Sequence, residues 1–247
     1  IEGMNFYLKQ VFENAAAAAS GLTRAKPVMP STRQGVAITT LGATGPAGSQ
    51  IAASLVGQGY EPTVFHANGY GGAAFTRFVE EGHAQGVIDM NVHELGRIRI
   101  AGAHVDMPTR FSAASGVPRV TLPGALNFIG CGELFTLNAE QLSRPHYQHT
   151  NQFTHVKLTA DEMSDQATHW AEILNQSTAP CHVILPMGGF SHEDRAGGAI
   201  EDLSLREITA DILEGDAQAY TVERMADHIN SPNVATAAVA ALHDFMS

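Results

Sequence analysis

The chain of 247 residues carries 25 Asp and Glu against 14 Lys and Arg, a formal net charge of -11 that repels nucleic-acid backbones. Hydrophobic residues make up 44% and charged ones only 16%, a globular composition with enough length for a substantial core. No apolar run reaches the roughly 18 residues of a membrane span, and two cysteines, Cys131 and Cys181, are too few for a disulfide framework.

In chain order, Asn5 to Ser20 reads as a helix. Asn5 caps it, Phe6, Val11, Phe12, Ala15, Ala16 and Ala19 recur at helical spacing, and Gly21 closes it. Pro27 and Pro30 make residues 24–33 an extended connector. Residues 1–34 are therefore expected to be a connecting helix and linker, and residues 35–247 the folded domain. Its low charge and the apolar face of the first helix lead us to expect Phe6, Val11 and Phe12 to pack on another chain or domain, within a homo-oligomer.

From residue 35 onward, strand and helix signals alternate. Val36 to Thr40 is a short apolar strand, with a helix expected over 46–58. A strand at 63–65 precedes a helix over 72–81, and a strand at 86–90 precedes one that begins near His93. A further helix is expected near 109–115, then a strand at 119–122. Residues 125–157 read as irregular, with one or two short strands. Thr159 and Glu162 form a capping box before an amphipathic helix over 160–175. A strand at 182–185, a helix over 203–213, a strand at 217–222 and a last helix opened by Ser231-Pro232 complete the chain. The fold class is α/β, a Rossmann-like three-layer domain with a mostly parallel sheet.

Ligands of such sheets bind beyond the carboxyl ends of the strands, so the segments that follow strands are the candidate site. After the first strand, Gly42, Thr44 and Gly45 offer backbone N–H groups and a hydroxyl at a helix start, where an anion is held. After the second come His66, Asn68, Gly69, Gly71 and Gly72, an anion loop with a histidine as acid or base. Gly69, Gly71 and Ala74, with Asp89 twenty residues past Gly69, also fit a dinucleotide fingerprint, but after the second strand instead of the first. Asp89 at the end of the third strand and Glu94 in the next helical turn are suited to coordinating a cation, orienting a histidine or holding a ribose, or to serving as helix cap and first-turn acid. Gly124 ends the fourth. His146, His149 and His155 are spaced suggestively for a metal, yet no carboxylate or cysteine completes a set in sequence, so no strong metal motif is present. His149 and Lys157 are better suited to an anionic ligand. Gly188, Gly189, His228 and Asn230 close the inventory. The catalytic candidates are His66, Asp89, Glu94 and His149.

The segments Ile38-Thr39-Thr40-Leu41-Gly42, Phe65-His66-Ala67-Asn68-Gly69-Tyr70-Gly71-Gly72, Pro123-Gly124-Ala125-Leu126, Leu185-Pro186-Met187-Gly188-Gly189 and His228-Ile229-Asn230 occur in an order that resembles the Tm-one-like ATP-binding family. Ile1, Gly3, Asn5 and Asn14-Ala15-Ala16 resemble the joint between that family's two halves, so the likeness spans this whole chain but only the family's second half. It implies a two-lobed protein with a cleft, and a first lobe or partner chain beyond this sequence. ATP binding is attributed to the family, which makes ATP and Mg²⁺ the cofactors to test. Thr150-Asn151 stands where the family usually has Asn-Pro, and Gly198-Ala199-Ile200 where it tends to have Gly-Pro-Phe; both departures bear on the ligand. The expectation is a cytoplasmic nucleotide- or phosphorylated-small-molecule-binding lobe, an enzyme of phosphoryl transfer or hydrolysis. The alternatives are a non-catalytic, nucleotide-gated protein-interaction module and an NAD-dependent oxidoreductase.

Overall fold

A computed structural model describes residues 3–26, 31–102 and 105–247, and the chain forms two compact units, Ile1–Thr32 and Arg33–Ser247. The first unit holds α1 (Phe6–Thr23), whose Asn5 side chain accepts from the Leu8 amide at 3.0 Å. Gly21 does not close it. The helix runs one further half-turn, and the Arg24 side chain then reaches back to the Ser20 carbonyl and hydroxyl. Phe6, Tyr7 and Phe12 are exposed. Pro27 and Pro30 lie outside the described residues.

The second unit is built on a parallel sheet of six strands. Five come as short β-branched or apolar runs: β1 (Gly35–Thr40), β2 (Glu61–His66), β3 (Gly86–Asn91), β4 (Arg119–Gly124) and β8 (Cys181–Pro186). The sixth, β9 (Thr221–Met225), starts four residues later than its sequence suggests, because 217–220 turn so that Tyr220 can donate its hydroxyl to the Leu213 carbonyl. The order is β2-β1-β3-β4-β8-β9, with every neighbouring pair parallel. Alternate residues face opposite layers, as strand geometry requires. Val36, Ile38, Ile88, Met90, Val120, Leu122 and Ile184 pack on α2 (Gly45–Gly57) and α8 (Pro232–Met246). On the other face Ala37 and Val87 meet Phe75 of α3 (Tyr70–Glu80), and Val183 and Leu185 join Trp170 of α6 (Ala160–Leu174) and Leu213 of α7 (Leu203–Gly215). Thr159 and Glu162 make the expected capping box on α6. Among the described residues no helix is long and apolar enough to cross a membrane.

Two segments differ from expectation. Residues 108–116 form consecutive turns instead of a helix, since Arg110 there is drawn down onto buried carboxylates. Residues 125–157 are not irregular: β5 (Phe128–Cys131), β6 (His146–Thr150) and β7 (Phe153–Lys157) form an antiparallel sheet of order β5-β7-β6, with the short α5 (Ala139–Ser143) between β5 and β6. Its strands are four or five residues of mostly polar, Gly and His type, too short and too mixed for the usual strand pattern. In register, Gly130 lies opposite His155 and Tyr147 flanks it on the other side.

Candidate functional site

The chain leaves β1 toward β2 on one side and leaves β3 toward β4 on the other, so the sheet switches direction between β1 and β3. There the loops splay apart and leave a crevice, the usual ligand position in open α/β sheets. A cavity of about 200 Å³ occupies it, walled by Leu41, Gly42 and Ala43 after β1, His66 and Asn68 after β2, and His93 and Arg97 of α4 (His93–Arg99) after β3. The small sheet closes the far side with Gly130, His149, Phe153 and His155.

The rings are stacked. His155 lies flat between Phe128 (centroids 4.0 Å, 16°) and His149 (4.9 Å, 15°), and His93 packs against Phe128 at 4.8 Å. Gly130, opposite His155, is what leaves the cavity open: a Cβ there would come within 3.2 Å of His93 Nε2. His93 Nδ1 hydrogen-bonds the Ala125 carbonyl at 3.1 Å; as a neutral ring it donates that proton and keeps the Nε2 lone pair. Ala125 presents the carbonyl from φ +55°, a left-handed conformation that non-glycine residues avoid and that here serves the site. Burial, and next the Arg97 charge, depress His93 to about 4. Burial, then His93 and His149, depress His155 to about 3. Both are neutral at pH 7. Arg97 donates to Asn68 Oδ1 at 2.7 Å and to the Gly102 carbonyl, and burial pulls the guanidinium below its ordinary value.

Of the residues singled out in the sequence, Gly42, His66, Asn68 and His149 therefore meet in one cavity. Others lie behind it. Asp89 and Glu94 do not face the cavity: both are buried on Arg110, which bonds Asp89 at 2.9 Å through two nitrogens and Glu94 at 2.6 Å. The Arg110 guanidinium also sits on the rings of Phe75 and Phe111, at 4.7 and 4.6 Å. Burial alone would pull Arg110 down, but the two carboxylates more than offset this and hold it above its ordinary value. Glu94 also accepts from the Gly69 amide at 2.5 Å, which fixes the loop bearing His66 and Asn68. Asp89 thus offers no carboxylate to a ribose, and the dinucleotide pattern has another cause. A Cβ on Gly71 would fall 1.8 Å from the His66 carbonyl, and one on Gly72 2.1 Å from the Glu94 carboxylate. Those glycines, like Gly124 (1.9 Å from Met90 O) and Gly188 (2.6 Å from His228 N), are required by backbone packing within the protein.

Thr44 is buried, its hydroxyl spent on the Leu41 amide and carbonyl of its own turn, and Gly45 begins α2 behind it. Asn230 donates to the Ala43 carbonyl at 2.9 Å and so holds the β1 loop in place. His228 Nε2 bonds the Ser191 carbonyl, and Gly189 at φ +140° packs on that ring. Lys157 lies elsewhere, paired with Asp202 at 2.6 Å in a separate groove beside Arg144. Among the described residues no group of three or more His, Cys, Asp and Glu is arranged to hold a metal. Burial raises the Cys131 thiol, which argues against a reactive thiolate. Sequence reasoning missed His93 and Arg97 as site residues and weighed His155 only within an incomplete metal set. For the first two a signal existed: four residues apart on one helix, they must share a face.

Residues 33–246 match the C-terminal domain of the uncharacterised protein family UPF0261. A UPF0261 protein of Clostridium tetani is 29% identical over 253 residues, covering 100% of this chain and 62% of that protein. The ToMV resistance protein Tm-1(GCR237) of Solanum lycopersicum is 30% identical over 252 residues, covering 96% of this chain and 33% of that protein. A UPF0261 protein of Mesorhizobium japonicum is 28% identical over 245 residues, 97% of this chain and 62% of its own length. The chain thus spans less than two thirds of these relatives. It belongs to the UPF0261 family and corresponds to its C-terminal domain.

Proposed function

We propose that the cavity at the strand switch binds a small phosphorylated molecule, and that its histidines carry proton transfer in phosphoryl transfer or hydrolysis. One observation carries the reading: the Arg97 guanidinium lines the same half-open cavity as the neutral imidazoles of His93 and His155. In a partly buried site a cation attracts a phosphate oxygen far more strongly than it does in water. The imidazoles add donors and acceptors without a competing negative charge.

Imidazoles at about 4 and about 3 are weak bases at pH 7. A bound phosphate reverses this, because its negative charge favours the protonated ring and lifts the pKa toward neutrality. The ligand would thereby switch on the base that its own reaction needs. A cavity of about 200 Å³ is smaller than drug-sized pockets, which begin near roughly 300 Å³, so it suits a phosphate and its first carbons; ATP would have to reach beyond it. The donor set does not fit Mg²⁺, since the nearby buried carboxylates, Asp89 and Glu94, are taken up by Arg110. The same weak basicity favours a second reading, a non-catalytic module in which ligand binding controls a protein partner.

Calorimetry with inorganic phosphate in buffers of different ionisation enthalpy tests the proposal. Saturable binding with net proton uptake, lost in Arg97→Gln, is the expected result. Binding that survives Arg97→Gln unchanged would remove the anion site from this cavity. Turnover of phosphate monoesters that is lost in His155→Phe, with binding retained, selects the enzyme over the module.

A further inference from the structure

A second cavity of about 250 Å³ adjoins the first and shares Gly42, Ala43, His149 and His155 with it as a common wall. Its remaining lining is Tyr147, Ser191, His192 and Glu193. The chemistry changes across the wall. On one side stands a cation, Arg97; on the other a carboxylate and hydroxyls.

Ser191 is the informative residue. It is 1% exposed, yet its hydroxyl has no hydrogen-bond partner. Its backbone is fixed, because its carbonyl accepts from His228 Nε2 and from the Asp194 amide, both at 2.9 Å. A buried, unpaired hydroxyl on a residue that lines a cavity is unfavourable until a partner completes it. Glu193 beside it is mostly buried, and its carboxylate stands 3.6 Å from the His192 ring and 3.7 Å from the Arg195 guanidinium, beyond hydrogen-bonding distance. Its carboxylate keeps its capacity to accept, repels phosphate, and matches neutral O–H donors.

Resting on the anion reading of the first cavity, we infer that the second is a hydroxyl-recognition subsite, so that the ligand is a phosphorylated sugar or polyol with its phosphate at Arg97 and its hydroxyls at Ser191 and Glu193. The His149–His155 stack forms the floor between the two ends of this ligand. Arg97 and Glu193 on opposite sides give the site a direction, and a reversed ligand would set phosphate against carboxylate.

The test compares two phosphate monoesters by calorimetry on the full chain: ribose 5-phosphate, and propyl phosphate, which lacks hydroxyls. Ribose 5-phosphate is expected to bind about tenfold tighter or more, the value of a hydrogen bond to a charged group. Ser191→Ala and Glu193→Gln should each remove most of that advantage and leave propyl phosphate unchanged. Their folding is checked by far-ultraviolet circular dichroism. Equal affinity for the two esters, or an advantage untouched by both substitutions, overturns the subsite while the anion site stands. If neither ester binds, both readings fail. If ribose 5-phosphate binds as well to Arg97→Gln as to the wild type, the anion reading fails and the subsite must be reassigned to a neutral sugar, which overturns the inference as stated.

Discussion

Replacing His155 with Phe isolates the cost of keeping an imidazole uncharged in this site. The ring lies flat between Phe128 at 4.0 Å and His149 at 4.9 Å, so a phenyl group, somewhat larger than imidazole, keeps the stacking and removes the titratable ring nitrogens. His155 is held at about 3, against 6.5 for the free side chain. Because the folded pKa is the lower one, the unfolded chain binds more protons between these values. Stability therefore falls as pH drops below 6.5. Between pH 7 and pH 5 the linkage relation makes this about 2 kcal/mol for one such histidine. His93, at about 4, adds a similar loss over that interval. Asp194 opposes them: burial raises it to about 6, so the folded state binds its proton first and gains about 1 kcal/mol over the same interval. The wild type should thus lose stability on acidification. His155→Phe should lose about 2 kcal/mol less than the wild type does, and the contribution of Asp194 cancels in that difference. Urea unfolding of both proteins at pH 7 and pH 5 measures it. If the two proteins share one pH dependence, the His155 ring titrates as it does in water, and the closed, stacked description of the cavity is wrong.

Arg110→Met should cost about 3–5 kcal/mol in the same assay at pH 7, because two buried carboxylates lose their shared cation; a cost below about 1 kcal/mol, typical of exposed pairs, would show the triad to be solvated. Gly71→Ala should fail to fold or lose at least about 2 kcal/mol, since its Cβ would fall 1.8 Å from the His66 carbonyl, and circular dichroism with urea unfolding reads this out; a neutral outcome would mean that the loop bearing His66 sits differently.

The parallel sheet was legible because buried parallel strands are short apolar runs bounded by glycine or proline turns, and β1, β3, β4 and β8 each show that pattern. The small sheet was not. Its pairing depends on contacts such as Gly130 with His155, twenty-five residues apart, between strands that carry polar side chains on one face. Half of the cavity followed from looking past strand ends, which brought out Gly42, His66, Asn68 and His149. The other half depended on topology, which carries His155 over the sheet edge from a distant hairpin. Asp89 and Glu94 looked functional because their cation, Arg110, arrives from a turn whose destination has no local signature. The glycines of the β2–α3 loop carried a real signal of close approach, but the group being approached is the protein's own backbone and Glu94.

The most direct test is an amide-resolved NMR titration with inorganic phosphate. The proposed anion site predicts saturable shifts at Gly42, Ala43, Asn68 and Gly130, the walls around Arg97, and their loss in Arg97→Gln. Shifts confined to the separate groove beside Arg144 and Lys157, with the switch-point loops unmoved, would contradict it.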